Sequence, residues 1–97
     1  MATGSLKTMN DAIIAESISL GSAESSTYYK DVTKAVSKTG YTPVGVVGYL
    51  ISSAAYRVYW AYISNDTVHI GITKDSGSIP SSVTVSATVL WVRNDLL

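Results

Sequence analysis

Val83-Thr84-Val85-Ser86-Ala87-Thr88-Val89-Leu90-Trp91-Val92-Arg93 is the stretch that decides the fold. Val83, Val85, Ala87, Val89 and Trp91 fall on one parity, and Thr84, Ser86 and Thr88 fall on the other. Successive side chains of an extended chain point to opposite faces, so this pattern is a strand with one apolar and one wet face. Leu90 and Val92 then place apolar groups on the wet face near its end. Such groups need a cover, for which a partner chain is a candidate, and this makes Leu90 and Val92 candidate interface residues.

Moving upstream, Val68, Ile70 and Ile72 alternate with Thr67, His69, Gly71 and Thr73, a second amphipathic strand whose outer face carries the chain's one histidine. It is preceded by Ser64-Asn65-Asp66-Thr67, whose two central residues tolerate left-handed dihedrals, as a tight hairpin requires. The other arm of that hairpin is Tyr56 to Ile63, rich in aromatic and β-branched residues. Lys74 to Ser82, with Asp75, Gly77 and Pro80, reads as the loop joining the hairpin to the last strand.

Val44 to Ile51 is apolar at both parities, which predicts a strand buried on two faces, with Gly45 and Gly48 open to close approach by another backbone or ring. Thr39-Gly40-Tyr41-Thr42-Pro43 before it reads as a turn, and Ala12 to Leu20 as a first strand. Between them, Tyr28, Val32, Ala35 and Val36 form a helical stripe with Gly40 placed to cap it. The β-branched Val32, Thr33 and Val36, and the strands on every side, argue the other way. Tyr28 to Lys38 is taken as a strand.

The whole is therefore expected to be an all-β protein, an antiparallel β-sandwich or jelly-roll-like fold of about six or seven short strands, because so many short amphipathic strands cannot hide their apolar faces in one open sheet. At 97 residues there is room for one domain, assigned to 12–97, with 1–11 as an N-terminal arm. Seven basic residues balance seven acidic ones, which removes the electrostatic footprint of nucleic-acid binding. No cysteine is present, so disulfides, thiolate metal sites and cysteine nucleophiles are excluded. The N-terminus lacks the uninterrupted apolar segment of a signal peptide, and the run Val44 to Ile51 falls far short of the roughly 20 residues that span a bilayer as a helix. No membrane association is expected. Low charge beside many Ser, Thr, Val and Tyr suggests surface that is meant to be covered, hence an oligomer.

Catalytic patterns are missing. There is no phosphate-binding glycine loop, no paired-histidine zinc helix and no nucleophile elbow, since Gly21-Ser22-Ala23-Glu24-Ser25 carries Ala at the central position. His69, alone in an alternating strand, reads as a surface residue, exposed or hydrogen-bonded, and Asp66 and Asp75 read as solvated turn aspartates. No enzyme activity, cofactor or metal is expected. The aromatic group Tyr56, Tyr59, Trp60 and Tyr62 is the most suggestive feature, because sugar rings stack on flat aromatic faces. Strict alternation puts Tyr56, Trp60 and Tyr62 with Val58 in the core and leaves Tyr59 with Arg57 outside. Arg57 and Tyr59, types enriched at interface hot spots, are thus candidate recognition residues. Seven tyrosines and no phenylalanine suit aromatic surfaces whose rings need a polar outlet.

Thr39-Gly40-Tyr41-Thr42-Pro43-Val44-Gly45-Val46-Val47-Gly48, the aromatic hairpin and the closing strand to Arg93 together resemble a small domain found in bacteriophage tail, fibre and minor structural proteins. The similarity covers roughly Thr27 to Arg93. It implies a compact β-sandwich acting as a virion component, in a tail fibre, baseplate, capsid decoration or head fibre. It also implies assembly in the bacterial host cytoplasm, self-association as a homotrimer, and contact with other virion proteins and with host-surface glycans. The alternative is a carbohydrate-binding module without catalytic activity. The resemblance carries over no catalytic residue.

Overall fold

Alternation of apolar and polar side chains produces six strands: β1 (Ile13–Ser22), β2 (Tyr29–Ala35), β3 (Tyr41–Ile51), β4 (Arg57–Ser64), β5 (Thr67–Thr73) and β6 (Thr84–Arg93). The computed structural model describes residues 12–97, so the expected arm at residues 1–11 lies outside the described residues. The strands form two antiparallel three-stranded sheets, ordered β1-β6-β3 and β2-β5-β4. Packed face to face, with β1 against β2 and β3 against β4, they make a small β-sandwich.

The most apolar strands take the two central places. From β5 come Val68, Ile70 and Ile72, and from β6 come Val85, Ala87, Val89 and Trp91, all buried in a single core. Each large side chain so placed contributes roughly 1.5 to 3 kcal/mol relative to exposure. Val32 adds the inward residue of β2, and Ile79 is carried in by the loop between β5 and β6. That loop is tied down where Ser25 and Ile79 exchange backbone hydrogen bonds of 3.0 and 2.9 Å. Glu16 and Lys38 pair at 3.5 Å near the end of the core, with the ammonium 5.8 Å from the Trp91 ring.

Tyr28 to Lys38 is a strand over Tyr29–Ala35, pairing antiparallel with β5 from Tyr29↔Thr73 to Ala35↔Thr67. Cross-strand pairing thus overrides the helical stripe. The expected turn at Thr39–Pro43 is shorter than anticipated. Gly40, at φ 85°, makes the bend, Tyr41 N–H donates to the Lys38 carbonyl at 3.0 Å, and Tyr41 to Pro43 already belong to β3. A second correction concerns Val44 to Ile51, expected to be buried on both faces. β3 is an edge strand, and bulges interrupt its register between Pro43 and Gly45 and between Val46 and Gly48. Val44, Val47 and Leu50 stand exposed as a result. Bulges of this kind twist an edge and blunt it as a template for uncontrolled strand addition. A Cβ on Gly45 would meet no atom of the described chain within 4 Å, and one on Gly48 would only touch Thr88, so among the described residues no ring or backbone packs against the two glycines.

Candidate functional site

The β4–β5 hairpin closes through Asn65 and Asp66, both left-handed at φ 53° and 56°, the geometry of a two-residue turn. That turn fixes the register: Ser64↔Thr67, Ile63↔Val68, Tyr62↔His69, Ala61↔Ile70, Trp60↔Gly71. Because Val68 and Ile70 are in the core, Ile63 and Ala61 must face inward beside them, and Tyr62 and Trp60 must face out. Further along, Val58 pairs with the buried Ile72, so one residue between Val58 and Trp60 is supernumerary. It is Tyr59, and the bulge there returns Val58 and Tyr56 to the core side.

This overturns the expected division of the aromatics. Trp60 and Tyr62 join Tyr59 and Arg57 outside, with 43%, 42% and 42% of Trp60, Tyr62 and Tyr59 exposed, while Tyr56 and Val58 pack on the core. The missed signal was available in the hairpin. Counting pairs outward from a two-residue turn settles the facing of β4, whereas parity counted along β4 alone fails at a bulge.

Beneath the rings lies Asp31 of β2, opposite Gly71. Its carboxylate spans the sheet: Oδ1 accepts from Trp60 Nε1–H at 3.0 Å, and Oδ2 is 2.9 Å from His69 Nδ1. A carboxylate can only accept, so the imidazole proton sits on Nδ1 and Nε2 is left as an acceptor in the neutral ring. Tyr62 stacks on His69 with centroids 4.5 Å apart and planes 1° from parallel, and Trp60 meets Tyr62 edge-on at 6.1 Å. His69, expected at the surface, is half-buried inside this cluster.

Gly71 is the floor. A Cβ there would lie 2.5 Å from Trp60 Nε1 and 2.7 Å from Tyr59 Cζ, so only glycine lets the indole cross β5 to reach Asp31 while the Tyr59 ring lies alongside, 4.5 Å from it centroid to centroid. Burial raises the Tyr59 phenol pKa above its ordinary value, and the charges of Asp31 and Tyr29 push the same way. Arg57, at the end of the face, is bonded to Asp75 at 2.9 Å, and both groups are largely exposed. Such a pair is worth under about 1 kcal/mol.

Leu90 and Val92 lie elsewhere, on the outer face of the β1-β6-β3 sheet. Leu90 is flanked across the strands by Ala15 and Gly45, and Val92 by Ile13 and Thr42. Both are half-buried. The register places only Ile, Val, Leu, Ala, Gly, Ser and Thr on this face, with no charged residue among the described ones. The structure thus brings Arg57 and Tyr59 together on one sheet and Leu90 and Val92 together on the other. Asp66 occupies the hairpin turn. Among the described residues no group of three or more His, Asp or Glu side chains is placed to hold a metal ion.

No protein-family model, curated protein or solved structure matches the chain.

Proposed function

We propose that the protein is a non-catalytic recognition domain that binds saccharide through the outer face of the β2-β5-β4 sheet. One observation carries the reading: Tyr59, Trp60 and Tyr62 stand side by side and exposed on one sheet face while Asp31, His69 and Gly71 fix them from below. Rings held in place before a ligand arrives lose little rotamer freedom on binding, which favours a recognition role over incidental surface packing. Asp31 and His69 are two members of a hydrolytic triad, but no hydroxyl is hydrogen-bonded to His69 Nε2 among the described residues. In this reading the pair orients Trp60 and Tyr62.

The uncharged outer face of the other sheet, centred on Leu90 and Val92, is the proposed contact between copies. The resemblance carried by Thr39–Gly48 and the closing strand supports placing such a self-associating, glycan-binding domain in a bacteriophage virion, where it would meet host cells. The test is sedimentation of the protein with intact bacteria and with their isolated envelopes. Wild type should co-sediment with the envelopes of a susceptible strain and Trp60→Ala/Tyr62→Ala should stay in solution with an unchanged circular-dichroism spectrum. Equal sedimentation of the two proteins would sink the proposal.

A further inference from the structure

We infer that the saccharide recognised by this face is neutral, a chain of uncharged pyranose units, and not an acidic polysaccharide or a polyol phosphate. The inference rests on the recognition role proposed above and narrows its ligand by the charge of the site. An acidic glycan needs a cation free to meet it, usually arginine in a bidentate pair. Arg57, the cation that the register places on this face, already shares its charge with Asp75 at 2.9 Å, and Lys30 and Lys34 of β2 fall on the other parity, opposite the buried Ile72 and Val68. The central charge is the Asp31 carboxylate, and each of its oxygens already accepts a hydrogen bond from the cluster. An arriving anion would meet that negative charge and would have to compete with Asp75 for the guanidinium. At the Tyr59 hydroxyl, burial first and then the charges of Asp31 and Tyr29 disfavour an added negative charge.

What remains free suits an uncharged sugar. The exposed ring faces of Trp60, Tyr59 and Tyr62 offer stacking for the C–H faces of a pyranose. Tyrosine hydroxyls and His69 Nε2 offer donors and an acceptor for sugar hydroxyls. With each oxygen engaged by a side chain of the cluster, Asp31 acts as a positioning residue: it holds the indole across Gly71 and fixes the imidazole tautomer.

Isothermal titration calorimetry tests this with two sets of probes. The neutral set is dextran, yeast mannan, a soluble β-glucan and an arabinogalactan; the acidic set is polygalacturonate, alginate and glycerol-phosphate teichoic acid. Saturable binding to a neutral polymer, little changed by salt, is expected, with none to the acidic set. Trp60→Ala should weaken it about tenfold or more, equivalent to roughly 1.4 kcal/mol. Asp31→Asn should also weaken it, with the Trp60 indole N–H resonance shifted and the fold retained, which a purely structural residue far from the ligand would not produce. Saturable, salt-sensitive binding to an acidic polymer alone would overturn the neutral assignment and leave saccharide recognition standing. Absence of binding to every polymer in both sets would overturn both.

Discussion

Trp91 and Trp60 show how position sets what one residue type does. Trp91 is 1% exposed, and its Nε1–H has no hydrogen-bond partner among the described residues. Truncation to alanine should cost about 3 to 5 kcal/mol in urea denaturation, a large share of the 5 to 15 kcal/mol typical of such a domain. Trp91→Phe should cost much less, because it removes an unsatisfied buried donor along with some apolar area. Thr88→Ala, on the outer parity of the same strand, should cost under about 1 kcal/mol in the monomer. Tyr59 gives a pH-dependent counterpart. Its phenol pKa is raised above 10.0 in the folded chain, by burial first and then by Asp31 and Tyr29. The folded state therefore holds the phenol proton more tightly than the unfolded chain does. That stabilisation is complete below about pH 10 and is lost as pH climbs through the folded value. Denaturation midpoints measured across this window should fall with rising pH, and Tyr59→Phe should flatten the fall.

At the level of elements, strands were legible wherever alternation was unbroken. The pattern Val83 to Trp91 and the pattern Val68 to Ile72 each identified a central strand and its buried parity. Asn65-Asp66 announced the hairpin because few residues adopt positive φ. Legibility ended at bulges, which cost one residue of parity and leave no mark in composition. Val44 and Val47 turned an apparently two-sided strand into a bulged edge, and Tyr59 carried Trp60 and Tyr62 from the expected core to the surface. Asp31 was invisible for a different reason. Its importance comes from two strands that only tertiary pairing brings beside it. The bulge makes a prediction of its own: deleting Tyr59 restores strict alternation with Val58 inward and Trp60 outward, so the fold should survive with a loss below about 2 kcal/mol. Deleting Ala61 instead would drive Trp60 into the small space facing Ile70, and overpacking of this kind should cost about 1 to 3 kcal/mol more. Paired chemical denaturation curves distinguish the two, and equal losses would mean that the bulge does not set the facing.

For the whole molecule, the two outward sheet faces differ in chemical character. One is uncharged, with Ile13, Val44, Val47 and Leu50 exposed around Leu90 and Val92; the other carries the ring cluster. If the first face joins copies, light scattering coupled to size exclusion should report an oligomer at micromolar concentration, a trimer on the resemblance. Leu90→Asp should then dissociate it without unfolding, since a buried unpaired carboxylate is costly at an interface. A monomeric mass for the wild type would dismiss the contact. Keeping the ring cluster on the opposite sheet would let assembly multiply weak single-site binding into avidity. The chain's two tryptophans, Trp91 sealed in the core and Trp60 at the surface, also make it its own optical instrument. Emission from the buried indole reports whether the sandwich is intact, and emission from the exposed one reports whether the face is occupied. A blue shift with loss of iodide quenching on adding ligand is then occupancy, a red shift of the whole band is melting, and a single cuvette separates the two without any label.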